Sequence, residues 1–342
     1  MSNRFDKPAP GFLDLAVAGL KKAKTFLDDV DQVIDWRPIE KVLKKKLRRN
    51  RDAAGNPAYP SLAMFKVLLL QRWYNLSDQG MDDALADRIS FRRFTGMSFG
   101  YDTPDSTTIC RFRNHLLECG LDEKLFDMLG RQLQDHDLIV KRGVIVDASI
   151  IESSRRPRKT QTIEKLEGAD GEETDYEVNT TYSDDLDAKW TIKAKKPYYG
   201  YKLHMSTDAE RGFILGGHVT PANRADNREL MEVVKESKTP EGSMVMADKG
   251  YASTDNRCDL EENHITDGIM YKAARGRKLT APEKLMNRVI SGLRGKVERA
   301  FGTLKKDYGF SRTRYLGCAK VKLEFLLSAM AFNLKKAALM VD

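Results

Sequence analysis

The stretch Gly143-Val144-Ile145-Val146-Asp147-Ala148-Ser149-Ile150 decides how the second half of the chain is interpreted. It is a short apolar run that reaches a carboxylate, which is the pattern of a buried β-strand. The run Ser243-Met244-Val245-Met246-Ala247-Asp248 has the same form. We therefore expect Asp147 and Asp248 to lie where two buried strands end.

The elements around these two runs predict the fold class. Two more strands fit residues 199–206 and 213–219, and a weaker one fits 267–271. Helical periodicity marks the remaining segments of this half, at 227–235, 254–263, 283–306 and 320–339. The resulting order is strand, strand, strand, helix, strand, helix, strand, helix. That order predicts an α/β (α+β) fold of the ribonuclease-H-like class, with a mixed sheet flanked by helices.

The remaining sequence divides by composition. A helical domain with regularly spaced apolar residues is predicted at 61–138, so an all-α domain should precede the sheet. The catalytic domain is predicted to be split, because a stretch poor in apolar residues interrupts it. We interpret that stretch as a long solvated insertion or mobile loop. The other predicted segments are a basic N-terminal part at 1–60, a catalytic domain at 139–151 and 198–310, the insertion at 152–197, and a C-terminal helix at 311–342.

Composition limits the function classes. The 342 residues include 58 Lys+Arg against 50 Asp+Glu, a formal net charge of +8, so a polyanionic partner is favoured. No apolar run approaches the ~20 residues that cross a bilayer. The N-terminus lacks the apolar stretch of a secretory signal, and the four cysteines are scattered. We expect a cytoplasmic, nucleoid-associated protein without a membrane partner.

Three acids carry the candidate chemistry. Asp147 and Asp248 end predicted neighbouring strands, and Glu298 lies in the helix predicted at 283–306. Carboxylates are hard oxygen ligands that suit Mg²⁺ or Mn²⁺, and two such ions can run a phosphoryl transfer. Alternatively, each acid is an ordinary surface or turn residue. The three positions together favour a shared site for two ions.

The same helix carries basic residues beside Glu298. At 100° per residue, Arg294, Glu298 and Lys305 share one face, next to an apolar stripe expected to face the sheet. The simpler alternative is an Arg294–Glu298 ion pair between successive turns. The functional interpretation places Glu298 on metal, with Arg294 and Lys305 on DNA phosphates. The predicted apolar stripe comprises Val289, Leu293, Val297, Phe301 and Leu304.

The N-terminal half offers further phosphate contacts. A basic run covers residues 41–51, and the helix predicted at 105–118 could enter a major groove. A solvated basic face is the alternative for that helix. The candidate contacts are Lys44, Lys45, Lys46, Arg48 and Arg49 in the run, and Arg111 and Arg113 in the helix.

Residues outside these groups are ambiguous. Lys193, Lys195 and Lys196 either contact DNA or solubilise the insertion. Trp190 either stacks on an unpaired base or anchors the insertion to the rest of the protein. His204 is expected to pack or form hydrogen bonds.

Four motifs together resemble those of bacterial DDE transposases, with the insertion-sequence family five as the nearest match. They are Val146-Asp147-Ala148-Ser149, Tyr199-Gly200-Tyr201-Lys202-Leu203-His204, Ala247-Asp248-Lys249-Gly250-Tyr251 and Arg294-x3-Glu298-x6-Lys305. Pro221-Ala222-Asn223-x2-Asp226 is also similar to a segment of that family. One departure is Ser291, where the wider superfamily often has a tyrosine.

The resemblance implies Asp147, Asp248 and Glu298 as catalytic and metal-binding residues, and Lys202 as a further DNA contact. It implies a transposase that binds the terminal inverted repeats of its own insertion sequence and hydrolyses DNA at the element ends. The 3′-hydroxyl ends would then join target DNA by metal-dependent transesterification, with a homodimer on the DNA. Two alternatives stay open: a catalytically silent DNA-binding regulator or domesticated relative, and a metal-dependent nuclease that does not join DNA.

Overall fold

The N-terminal part of the protein is entirely helical where the structure describes it. The computed structural model describes residues 24–47, 58–100, 102–157, 160–165, 176–181, 184–274 and 276–340. Its first helices are α1 (Phe26–Val33), α2 (Trp36–Lys46), α3 (Ser61–Trp73), α4 (Asp78–Asp87), α5 (Ile89–Thr95), α6 (Ser106–Glu118) and α7 (Leu121–Asp135). The all-α region predicted before the sheet is confirmed.

Two of these helices show how the sequence directs the local fold. Helix α3 is buried along almost its whole length, so it forms the centre of the helical region. Helix α6 begins after Asp105, whose side chain accepts a hydrogen bond from the backbone N–H of Thr108 at 2.6 Å. This cap satisfies one of the N–H groups that a helix start leaves unpaired.

The second part contains a mixed sheet. Its strands are β1 (Gly143–Glu152), β4 (Lys189–Lys193), β5 (Lys196–Asp208), β6 (Ile214–Pro221), β7 (Met244–Ala247) and β8 (Thr266–Ile269). The main order is β6-β5-β1-β7-β8, and β4 pairs with the start of β5. Strands β6, β5 and β1 are antiparallel, whereas β1, β7 and β8 are parallel. The ribonuclease-H-like fold class is confirmed.

Two predicted boundaries were wrong. Strand β1 continues to Glu152, so Asp147 lies within it rather than at its end, because β5 keeps pairing with β1 over its whole length. The stretch 152–197, predicted as a loop, contains β4, the first residues of β5, and a separate pair formed by β2 (Thr160–Lys165) and β3 (Tyr176–Thr181).

Helices cover both faces of the sheet. The later helices are α8 (Leu230–Glu236), α9 (Thr254–Glu262), α10 (Ala281–Lys306) and α11 (Cys318–Ala338). Gly217 is in register with Met205, which is opposite Asp147, and a Cβ there would lie 2.7 Å from the Phe325 ring of α11. Gly216 packs instead against Glu236 of α8. Side chains alternate between the faces, so α11 lies on the Asp147 face and α8 on the other.

Helix α10 also packs on β1, with a register slightly different from the prediction. Val297, Phe301 and Leu304 are buried, as expected for an apolar stripe facing the sheet. Val289 is 52% exposed, and Ile290 is buried in its place. The helix begins with a capping box between Thr280 and Glu283.

Helix α11 joins the two parts of the chain. It contacts β6 of the sheet as well as α1, α3 and α7 of the helical region. Among the described helices, none is long and apolar enough to cross a membrane.

Candidate active site

Asp147 and Asp248 lie side by side in the sheet. The last parallel pair between β1 and β7 is Val146 with Ala247, so the two aspartates are the next residues on adjacent strands. Adjacent strands are about 4.8 Å apart. Strand β7 ends there, which leaves both carboxylates at the carboxyl end of a parallel strand pair.

Arg294 of α10 connects the two carboxylates. One of its terminal nitrogens donates to Asp147 Oδ2 at 3.0 Å and lies 3.9 Å from Asp248 Oδ2. Its Nε is buried and has no hydrogen-bond partner among the described residues. The predicted alternative, an Arg294–Glu298 ion pair, is not among the ion pairs of the described residues.

Backbone groups orient both aspartates. The N–H of Ala148 donates to Asp147 Oδ1 at 2.9 Å, and the N–H of Gly250 donates to Asp248 Oδ1 at 2.7 Å. Each side chain thus has one oxygen held by the backbone, and its Oδ2 directed towards Arg294. The short turn after β7 fixes this arrangement, because Asp248 caps it.

Glu298 does not join this pair in the structure. It lies one turn after Arg294 and is exposed. Within the described ranges, no group of three His, Cys, Asp or Glu residues is arranged to hold a metal ion. The structure thus brings two of the three predicted acids together beside Arg294, and the role of Glu298 as a third metal ligand stays a prediction.

The electrostatics match this geometry. Burial raises the pKa of Asp147, opposed by Arg294 and reinforced by the negative charge of Asp248. Burial lowers the pKa of Arg294, but Asp147, Asp248 and Glu298 outweigh that effect and raise it overall. Glu298 is thus close enough to act on Arg294 through its charge.

The structure adds one acid that the sequence did not assign to the site. Asp226 accepts a hydrogen bond from Lys202 Nζ at 2.8 Å. A Cβ on Gly250 would lie 2.9 Å from Asp248 Oδ1 and 3.3 Å from Asp226 Oδ2, so both acids flank this glycine. The segment Pro221-Ala222-Asn223-x2-Asp226, which resembles a segment of the transposase family, is the feature of the sequence that could have indicated this acid.

Tyr251, three residues after Asp248, and His204 form a buried pair. Both are 0% exposed, and His204 Nδ1 lies 2.9 Å from the Tyr251 hydroxyl. Burial raises the pKa of Tyr251, and the charges of Asp226, Asp147 and Asp248 reinforce the shift. Burial lowers the pKa of His204 to about 4. The predicted hydrogen-bonding role of His204 is confirmed.

Comparison with known proteins matches most of the chain. Residues 139–334 match the family described as the transposase DDE domain. This chain belongs to the DDE transposase family. Residues 17–115 match a second family, described as a transposase domain. The number of the insertion-sequence family stays a prediction.

A sequence relative agrees with this assignment, and solved structures of other transposases also align with the chain. The chain is 39% identical over 230 residues to the transposase for insertion sequence element IS1106 of Neisseria meningitidis serogroup B, covering 67% of this chain and 77% of the relative. A piggyBac transposase synaptic complex with hairpin DNA aligns over 94% of this chain and 76% of the other, with 11% identity and a TM-score of 0.43. A pre-cleavage Mos1 transpososome aligns over 95% and 90%, with 10% identity and a TM-score of 0.22.

Two side chains of this transposase that were predicted to contact DNA, Arg113 and Lys202, form hydrogen bonds within the protein instead. Arg113 is buried, forms two 2.7 Å hydrogen bonds to Asp78, and lies over the Tyr315 ring. Lys202 donates to Asp226 and to the Arg224 carbonyl. We therefore do not retain Arg113 as a DNA contact, and we interpret Lys202 as positioning Asp226.

The remaining predicted contacts differ in accessibility. Lys305 is partly buried and donates to the Ile150 carbonyl at 3.0 Å. Arg111, Lys44, Lys45 and Lys46 are exposed. Arg48 and Arg49 lie outside the described residues.

Proposed function

We propose that this transposase binds the terminal inverted repeats of its own insertion sequence, hydrolyses the DNA at the element ends and joins the 3′-hydroxyl ends to target DNA. The observation that carries the proposal is the meeting of Asp147 and Asp248 on adjacent parallel strands, facing the helix that contains Arg294 and Glu298. Family membership supports the same chemistry.

The donor chemistry of the site fits a divalent metal ion. Magnesium is commonly bound in proteins by one or two carboxylates together with substrate phosphates. Asp147 and Asp248 would hold Mg²⁺, for which Mn²⁺ could substitute, and Glu298 would bind with them. Two ions are expected. When bound, such ions activate a hydroxyl nucleophile and stabilise the leaving oxygen of a phosphodiester.

The protein residues divide the remaining work. Hydrogen bonds from Ala148 and Gly250 hold the two aspartates with Oδ2 directed away from the backbone. Arg294 supplies positive charge beside them. It would be free to contact a phosphate when a bound cation takes its place on the Asp147 carboxylate. Lys305 lies eleven residues further along α10, about 16 Å, and can contact the same strand of DNA. DNA is therefore expected to run along this helix, with one protein chain at each element end.

The test is a reaction of the purified full-length chain with labelled terminal-repeat DNA and a target plasmid, in Mg²⁺, in Mn²⁺ and in EDTA. The proposed transposase produces cut ends and joined products with either metal. Binding without cleavage would favour the silent regulator. Cut ends without joined products would favour the nuclease.

Single substitutions test the acids. We expect Asp147→Ala, Asp248→Ala and Glu298→Ala each to lower cleavage by at least about a hundredfold while end binding persists, because metal binding at the reacting phosphate depends on them. Asp255→Ala, which changes an exposed acid seven residues after Asp248, is the matched control and should leave cleavage unchanged. Near-normal cleavage by the Asp248 variant would remove that residue from the site.

A further inference from the structure

The hairpin of β4 and β5, Lys189–Tyr199, extends beyond the rest of the sheet. The pairing of β1 with β5 ends at Glu152 and Gly200, and from there only β4 pairs with β5. It extends in the direction in which β1 runs onward from Asp147. Along β5, Met205, opposite Asp147, lies six positions from Tyr199, opposite Trp190, which is about 20 Å.

Large apolar side chains on this hairpin face solvent. Trp190 is 52% exposed and Ile192 is 75% exposed. The strand alternation places both on one face, and the Trp190 ring lies tilted against the Tyr199 ring, with the ring centroids 5.2 Å apart. A half-exposed indole next to an exposed isoleucine on a two-stranded ribbon indicates a partner that covers them.

The same hairpin is strongly basic. Lys189, Lys193, Lys195 and Lys196 lie within eight residues. Among the residues that the structure describes, none of the four forms an ion pair. Lys193 is also near Lys305 of α10. The pKa of Lys305 is lowered mainly by burial and in addition by the positive charge of Lys193. Uncompensated like charges of this kind complement a polyanion.

The two residues in the turn of the hairpin have a strained backbone conformation, and one of them is a lysine. Ala194 and Lys195 have φ of +49° and +64°. A two-residue turn with positive φ at both positions strongly favours Asn-Gly or a similar pair, because a Cβ is strained there. A lysine at the tip is therefore explained better by its charge than by turn stability.

We infer that the β4–β5 hairpin is a DNA clamp, in which the lysines contact phosphates and Trp190 stacks on an unpaired base a few nucleotides from the cleavage position. The inference deepens the proposed function and rests on it. Its position some 20 Å from Asp147, about the width of a duplex, lets DNA held at the acids reach the hairpin. A second copy of this chain is the competing occupant of the apolar face.

The experiment measures binding of the full-length chain to two forms of terminal-repeat DNA, a full duplex and a cut end with unpaired bases. Trp190→Ala should weaken binding to the unpaired form about tenfold and to the duplex much less, since one stacked base contributes about that much. Trp190→Phe should restore most of the difference. Equal affinities of Trp190→Ala and the unaltered chain for both DNAs would overturn the stacking.

Lys195→Gly separates charge from structure. It removes turn strain, so thermal stability should rise, while the slope of log affinity against log salt should fall by about one. Lys235→Ala, on the α8 face opposite the site, is the charge-matched control and should change neither. A stable Lys195→Gly chain with an unaltered salt slope would overturn the phosphate contacts.

Three outcomes separate the competing explanations. If the unaltered chain binds no terminal-repeat DNA, the proposed function fails, and the clamp fails with it. If it binds and the variants bind equally well, the clamp alone fails. If Trp190→Ala changes the molar mass of the protein in solution but not its DNA affinity, the Trp190 and Ile192 face of the hairpin contacts a second copy of the chain. The clamp is then overturned.

Discussion

Arg294 shows how one side chain can hold an acid pair together. Asp147 and Asp248 are brought to adjacent strands by the sheet, where their charges repel. The guanidinium, 3.0 Å and 3.9 Å from their outer oxygens, offsets that repulsion. Because a cation at the same oxygens would have the same effect, Arg294 and the proposed divalent metal would compete for these carboxylates.

That competition makes a prediction that needs no activity assay. Arg294→Gln should lower the melting temperature, because two partly buried carboxylates lose their counter-charge. Mg²⁺ should then raise the melting temperature more in this variant than in the unaltered chain, since a ligand that binds only the folded state stabilises it. Thermal unfolding with and without Mg²⁺ measures both effects.

The control for that measurement is Asp147→Asn combined with Arg294→Gln, which removes one carboxylate and the competing cation together. Its melting temperature should no longer respond to Mg²⁺. A response of the same size in the double variant would mean that Mg²⁺ binds elsewhere.

His204 predicts how stability depends on pH. Its pKa is lowered by burial to about 4 in the folded protein, against 6.5 for an ordinary histidine. The unfolded chain therefore takes up a proton first as the pH falls. The contribution of His204 to the free energy of unfolding is fully present above pH 6.5. It is lost as the pH falls from 6.5 to 4, and the loss is on the order of 3 kcal/mol.

Denaturant unfolding at pH 7, 5.5 and 4.5 measures that loss. His204→Asn can still meet the Tyr251 hydroxyl but does not titrate, so its stability should fall less over the same range, whatever its stability at pH 7. Parallel pH profiles for the two proteins would show that another group causes the acid loss.

At the scale of elements, what could be predicted follows from local pattern. The runs ending at Asp147 and Asp248 are continuously apolar, as parallel strands buried on both faces are, so their existence and pairing were predictable. Strand β4, Lys189–Lys193, is short and mostly exposed, and its two apolar residues, Trp190 and Ile192, are too few to distinguish it from a loop. Such a strand forms because β5 offers it a partner, which a local pattern does not show.

Side-chain roles at helix surfaces were harder to predict for a related reason. Arg111 and Arg113 are two residues apart in α6, and only their tertiary surroundings distinguish them. Arg113 meets Asp78, 35 residues earlier, whereas Arg111 stays exposed. On α10, Arg294 and Lys305 reach β1 because long side chains can span the gap, and the shorter Glu298 between them stays in solvent.

At the scale of the whole molecule, α11 makes the helical region and the sheet one structure. Arg72 of α3 pairs with Glu324 of α11 at 2.9 Å, and their side chains are 2% and 1% exposed. The Trp73 indole N–H also donates to the Ala331 carbonyl at 2.7 Å. The orientation of the helical region relative to Asp147 therefore depends on contacts buried along α11.

The buried pair makes the last prediction. Glu324→Ala leaves the Arg72 charge buried without its partner, which should lower the free energy of unfolding by about 3–5 kcal/mol. Replacing both, as Arg72→Met with Glu324→Leu, should recover most of the loss, because two apolar side chains of similar volume leave no charge unpaired. Lys44→Ala, which breaks the exposed pair with Glu40, is the control and should cost less than about 1 kcal/mol. Urea unfolding of the four proteins measures these losses, and a Glu324→Ala loss no larger than that of Lys44→Ala would mean that the Arg72–Glu324 pair does not help to hold α11 to the helical region.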